Sequence, residues 1–305
     1  MRAILFPGQG SQYVGMGLDF YKEFDCVKKI FSSVDETLGF SLSKLILEGP
    51  EEKLKLTENT QPAIMTVGVS IYNVLNKKFG FELNNSKFFA GHSLGEYTAL
   101  VCSGSLTIKR AVYLLHERGK AMQESVPEGQ GAMTAVLGMT MNEVEKEISL
   151  IRKEGTCEIA NDNSDGQVVV SGTKKIIDLL NENLKKKNKR GIILPVSAPF
   201  HSSLMKKASE SMKEKINDSD FLTPKPSIIS NVTAKEENNV NDIKSLLVEQ
   251  ITSRVRWRES VNYMINKGVK DFIEIGPGKV LSGLVKKINK NVKTSNINYI
   301  EDINK

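Results

Sequence analysis

Residues 89–104 read FAGHSLGEYTALVCSG. Within them, Gly91-His92-Ser93-Leu94-Gly95 fits the G-x-S-x-G pattern, in which a strand turns sharply into a helix and leaves a serine hydroxyl at the apex. The pattern demands a buried strand before the serine and a helix behind it. Lys87 to Ala90 supplies the end of a short apolar strand, and Leu94 to Cys102 is a helix with few breakers. A side chain at either glycine would collide with the neighbouring strand or helix, and the strained turn is easiest where no Cβ is present. An ordinary Gly-Ser turn carries the same five letters, so partners elsewhere in the chain must decide.

A chain of 305 residues with 40% hydrophobic content can bury one large core, or a main core and a smaller insert. Its apolar runs fall short of the roughly 18 residues of a membrane helix, and MRAILFPGQG reaches proline and glycine too soon for a signal peptide. The expectation is a cytoplasmic protein with no membrane partner. Cys26, Cys102 and Cys157 are odd in number and show no C-x-x-C spacing, which indicates neither a disulfide framework nor a zinc site. The net charge is +6, and its one dense run, Lys185 to Arg190, lacks interleaved aromatics. That run reads as a solvated helix end rather than a nucleic-acid patch, although a basic surface favours an acidic or phosphate-bearing partner.

The first strand is expected at Ala3 to Phe6, ahead of the loop Pro7-Gly8-Gln9-Gly10-Ser11-Gln12. A helix is expected from Ala63 to Phe79 with Pro62 in its first turn, and another from Leu106 to Gln123. From Ala132 to Val196 the order is strand, helix, strand, the turn DNSDG, strand, helix, strand. This βαββαβ order describes a ferredoxin-like subdomain over 129–196, inserted in an α/β main domain of 1–128 and 197–305 with a mostly parallel sheet. After it come the loop Ser197 to Ser202, a helix, the strand Ser227 to Asn231 and a helix around Ile243 to Thr252. The last strand is expected at Asp271 to Ile275, followed by Gly276-Pro277-Gly278 and a final helix.

A serine hydroxyl becomes a nucleophile when a base takes its proton, and histidine is the usual base near neutral pH. There are three. His92 abuts Ser93 and points elsewhere on such a turn, which suits a supporting role. His116 shares a polar helix face with Lys109, Tyr113 and Lys120 and is expected to face solvent. His201, in a proline-containing loop after a strand, is left as the base. No acidic residue announces itself as the third member of a triad; a backbone carbonyl could orient the imidazole instead.

Arg118 falls between Leu115 and Met122 on the apolar stripe of its helix. An unpaired guanidinium there would cost several kcal/mol. It pairs with a structural carboxylate, snorkels to the edge, or waits for an anion that arrives with the substrate. A planar fork suits a carboxylate, so the third reading suggests an acyl group with a free carboxylate at its far end.

Seven segments then occur in order: FPGQGSQ at 6–12, GHSLGEY at 91–97, ERGKAMQ at 117–123, NDNSDGQVVVSG at 161–172, LPVSAPFHS at 194–202, SNVTA at 230–234 and EIGPGKVLSGL at 274–284. Over nearly its whole length the chain resembles the bacterial malonyl-CoA:acyl carrier protein transacylases of type II fatty acid synthesis. The resemblance implies an α/β hydrolase-like core with a ferredoxin-like insert, and a function in moving malonyl from malonyl-CoA through a malonyl-serine to the phosphopantetheine thiol of acyl carrier protein. It implies Ser93 as nucleophile, His201 as base held by a backbone carbonyl near Gln250, and Arg118 and Gln250 as substrate-binding residues. It further implies the backbone N–H groups of Gln9 and Leu94 as the oxyanion hole. No metal or other cofactor is implied, and the partners are malonyl-CoA and holo acyl carrier protein; the protein is expected to be a monomer. Two rivals remain: a serine esterase or thioesterase, disfavoured by Arg118, and a nucleotide-binding or scaffold protein, disfavoured because the glycine spacings of 8, 10 and 15 fail G-x-G-x-x-G.

Overall fold

The structure, a computed structural model, describes residues 1–196 and 198–304. Ser197, the expected start of the histidine loop and of the second main-domain stretch, and Lys305 lie outside the described residues. The strands are β1 Arg2–Phe6, β2 Phe88–Gly91, β3 Gly131–Leu137, β4 Cys157–Ser164, β5 Gln167–Thr173, β6 Arg190–Ile193, β7 Ser227–Ile229, β8 Glu236–Glu237, β9 Asp271–Ile275 and β10 Lys293–Ile297. They form two sheets, ordered β10-β9-β1-β2-β7-β8 and β4-β5-β3-β6.

The larger sheet is parallel except for the short edge strand β8, in keeping with an α/β fold. Its two middle strands, RAILF and FFAG, are almost wholly buried. Strands covered on both faces read as continuous apolar runs, and these do. Ile4, Phe6 and Phe89 point into a core shared with Val67 and Leu115, whereas Ala3, Leu5 and Phe88 meet Trp257 and Leu284 on the other face. The sheet is thereby fixed between helices on both sides.

On the first face, helix Thr57–Lys78 packs against helix Ile108–Glu124. Gly119 permits the contact, because a Cβ there would sit 2.4 Å from the Glu58 Cα. The expected helix start at Pro62 is corrected: the helix begins at Thr57, so the proline lies inside it. Pro62 has no N–H to give the Glu58 carbonyl four residues back. The Nδ1 of His116 takes that place, 3.0 Å from the Glu58 oxygen, with its ring beside Phe40. His116 is therefore half-buried and bonded across the helix pair rather than facing solvent.

The smaller sheet is antiparallel throughout and carries helices Met141–Ile151 and Lys174–Lys186 in the order βαββαβ. Its side chains Val136, Ile148, Val168 and Leu180 form a separate core. β4 runs on to Ser164, which narrows the expected turn to Asp165-Gly166. β6 stops at Ile193, short of the expected Val196, because Pro195 can give the ladder no N–H. β4 also meets the larger unit: Asp162 N–H donates to the Val255 carbonyl at 2.9 Å, and the Asp162 carboxylate takes two nitrogens of Arg258 at 2.9–3.2 Å.

Two further expectations are corrected, and one helix is added. β7 ends at Ile229, not Asn231, where the chain turns toward β8. Asp271–Ile275 is not the last strand, since β10 adds an edge strand beyond it. Helix Trp257–Asn266 had no sequence assignment, although Trp257, Val261 and Met264 show its apolar spacing.

Candidate active site

Gln9, Ser93 and Asn231 follow β1, β2 and β7 at the carboxyl end of the parallel sheet, the edge where open α/β sheets place their ligands. Ser93 sits at the apex between β2 and helix Gly95–Cys102 with a φ of 54°, a conformation rare for a non-glycine residue. A Cβ on Gly91 would lie 1.9 Å from the Gly95 carbonyl, and one on Gly95 would lie 2.3 Å from the Phe6 oxygen. The strained elbow, not an ordinary turn, is what the five residues form.

The structure brings His201 to the serine. Its Nε2 is 2.8 Å from Ser93 Oγ, and its Nδ1 is 2.8 Å from the Gln250 carbonyl oxygen. A carbonyl can only accept, so Nδ1 carries the proton and Nε2 is free to accept the serine's. The third group is thus a backbone carbonyl and no carboxylate. His201 has a φ of 55°, and the preceding Phe200 carbonyl accepts the Ser171 hydroxyl from β5, which ties the loop to the smaller sheet. Burial, with the positive charge of Arg118 next, pushes the imidazole down to about 3 against the Gln250 hydrogen bond.

Arg118 is 1% exposed, so it does not snorkel. Its hydrogen-bond partners among the described residues are neutral: one terminal nitrogen donates to Gln61 Oε1 at 2.6 Å, the other to Gln250 Oε1 at 2.9 Å and Ser93 Oγ at 3.2 Å. Its Nε is buried without a partner. Burial lowers its pKa, while Tyr97, whose ring lies 5.9 Å away, and Glu96 oppose that shift. A cation in this setting, beside an activated hydroxyl, can take an anion that has come with the acyl group.

Gln9 and Leu94 line the same cavity, about 180 Å³, together with Ser93, Arg118, Asn161 and His201. Neither the Gln9 nor the Leu94 N–H donates to another described protein atom. The Gln9 loop comes close because Gly8 has no side chain; a Cβ there would be 2.7 Å from the His92 carbonyl. His92 stays out of the proton path, with Nε2 2.9 Å from Asn163 Oδ1 and its ring 5.6 Å from Trp257. Burial lowers its pKa.

Three contributors had no role in the sequence reading. Gln61 lies in helix Thr57–Lys78, one residue before its proline. Asn231, inside SNVTA, spans the elbow: its side-chain oxygen accepts from Ser93 N–H at 2.7 Å and its amide donates to the Gly91 carbonyl at 2.7 Å. Glu96, 1% exposed, accepts from the Asn231 backbone N–H at 3.0 Å and from Gln250 Nε2 at 2.8 Å. Burial pushes its carboxyl up to about 7 despite those bonds and Arg118. The available signal was an acid in the otherwise apolar helix GEYTALVC.

A serine-histidine pair at a strand-to-helix apex, with a guanidinium in reach of the hydroxyl, defines a site for acyl transfer. In agreement, a family model described as acyl transferase domain matches residues 4–301, and the chain belongs to that family. It is 47% identical to the malonyl CoA-acyl carrier protein transacylase of Bacillus subtilis (strain 168), over 99% of this chain and 94% of that one. Among solved structures, the acyl-carrier-protein-S-malonyltransferase of Bartonella henselae superposes with a TM-score of 0.96 at 42% identity, covering 99% and 97% of the two chains. A malonyl-transacylase in complex with its holo type II polyketide acyl-carrier protein superposes with a TM-score of 0.95 at 37% identity, again over 99% and 97%.

Proposed function

We propose that the protein transfers malonyl from malonyl-CoA to the phosphopantetheine thiol of acyl carrier protein, by way of a malonyl-serine. The observation that carries this reading is Arg118, a buried cation with neutral partners and an orphaned Nε, one of whose terminal nitrogens lies 3.2 Å from the serine oxygen. His201 Nε2 takes the Ser93 proton as Oγ attacks the thioester carbonyl, and the N–H groups of Gln9 and Leu94 receive the oxyanion. The tetrahedral species collapses, the C–S bond breaks, and coenzyme A leaves with the proton from His201. The carrier thiol then gives its proton to His201 and attacks the malonyl-serine, and Ser93 recovers the proton as the new thioester forms. Arg118 holds the malonyl carboxylate throughout, with its fork set by Gln61 and Gln250.

The reaction draws on no metal or redox cofactor. An acidic carrier protein suits a chain of net charge +6. The protein is read as a monomer in the cytoplasm, with neither nucleic acid nor membrane as partner; none of the described helices is long and apolar enough to cross a membrane. The division into a unit of 129–196 within a main domain of 1–128 and 197–305 is supported by the separate core of the smaller sheet.

Intact mass measurement after brief exposure to malonyl-CoA and acid quench tests the reading. The expected result is a malonyl adduct that is absent in Ser93→Ala, is reduced about ten- to hundredfold in Arg118→Ala, and disappears when holo carrier protein is added. Free malonate without an adduct would identify a hydrolase instead.

A further inference from the structure

Gln250 has two jobs that depend on different atoms. Its backbone oxygen sets the His201 tautomer, and its side-chain oxygen accepts from Arg118. An amide has an oxygen and a nitrogen of nearly the same shape, and a flipped Gln250 would present N–H donors to a guanidinium that has only donors. What forbids the flip is on the far side of the amide. Gln250 Nε2 donates to Glu96 Oε2 at 2.8 Å, and to the Ser93 carbonyl at 3.2 Å. Glu96 Oε2 also takes the Asn231 backbone N–H at 3.0 Å, so it faces the amide as an acceptor and fixes which end of the amide faces the arginine. The chain of contacts therefore runs from Glu96 through Gln250 to Arg118, with no direct ion pair between the two charges.

We propose that Glu96 is a positioning residue for recognition of the acyl group's carboxylate: by locking the Gln250 amide it holds the Arg118 fork in the orientation that reads that carboxylate. The proposal rests on the malonyl reading above. Glu96 also contacts the Asn231 backbone, so it could merely brace the elbow. The two roles differ in what they touch. A brace serves every reaction of Ser93, whereas the amide lock serves only acyl groups that bear a carboxylate.

The test compares the wild-type protein with Glu96→Gln in two reactions of Ser93. One is malonyl loading from malonyl-CoA, with KM and kcat separated. The other is sulfonylation by methanesulfonyl fluoride, a neutral probe with no carboxylate for Arg118 to hold: an Oγ–S bond replaces the S–F bond, fluoride leaves, and His201 takes the Ser93 proton. The expected result is a rise in KM for malonyl-CoA of about ten- to hundredfold, a smaller change in kcat, and an unchanged sulfonylation rate. Loss of both reactions together, whether or not the variant folds, assigns Glu96 to the elbow and overturns the proposal. Unchanged malonyl loading overturns it as well. Failure of the wild-type protein to take malonyl, with sulfonylation intact, would strike the malonyl reading itself.

Discussion

His201 is a weak base, held near 3 by burial and by the neighbouring Arg118 charge. A base with a lowered pKa stays neutral as the solution is acidified, so it remains able to accept a proton until the pH approaches that value. The acid limb of kcat/KM for serine loading, which reports the free protein, is therefore expected well below the ordinary histidine value of about 6.5. A bound malonyl carboxylate would offset the Arg118 charge and raise the basicity of His201. The acid limb of kcat should accordingly lie at a higher pH than that of kcat/KM; pH profiles from stopped loading reactions would show it, and coincident limbs would refute the coupling. At this scale much was legible. Ser93 announced itself through the glycines on either side, His201 by elimination among three histidines, and Arg118 by lying on an apolar helix face. Gln61 and Asn231 were not legible, because they act through Arg118 and Ser93, 57 and 138 residues away in the chain, and neither breaks a local pattern; Glu96 left only the trace of an acid in an otherwise apolar helix.

Among elements, the contact between helices Thr57–Lys78 and Ile108–Glu124 decides where the arginine stands. Gly119 follows Arg118 and lies against the Glu58 backbone, a distance that leaves no room for a methyl group. Gly119→Ala is expected to push the helices apart and to lose about 1–3 kcal/mol through overpacking, despite alanine's better helix propensity. Arg118 would then lose its 2.6 Å bond to Gln61. Thermal melts should show the loss of stability, and malonyl loading should fall more than methanesulfonyl fluoride labelling; a melt unchanged from the wild type would refute the packing argument. Periodicity located both helices but set the start of one too late, because Pro62 looks like a first-turn residue until His116 is seen bonding the carbonyl that it leaves free. The edge strand β10 escaped notice for another reason: KTSNI is mostly polar and shows half-buried positions in alternation with exposed ones.

For the molecule as a whole, the smaller sheet meets the larger unit where β4 runs beside Val255 and where Arg258 grips Asp162. Asp162 is fully buried, and removing its partner would leave a charge without compensation. Arg258→Ala is expected to cost about 3 kcal/mol, read as a lower denaturant midpoint. Loading should weaken with it, since Asn161 and Asn163, on either side of Asp162, face the cavity and His92. Equal stability in the variant would mean that the pair holds nothing together. The βαββαβ order of the smaller sheet was visible in the sequence, but its docking was not, because Arg258 lies 96 residues from Asp162 in a helix that received no assignment. The separation along the chain has a consequence for synthesis. Ser93 leaves the ribosome 108 residues before His201, and the Gln250 carbonyl that bonds the imidazole follows 49 residues later still. A nascent chain that has only reached the smaller sheet thus carries a serine with nothing to activate it. Reactivity arrives late in translation, and an unfinished product is chemically silent rather than a stray consumer of thioesters.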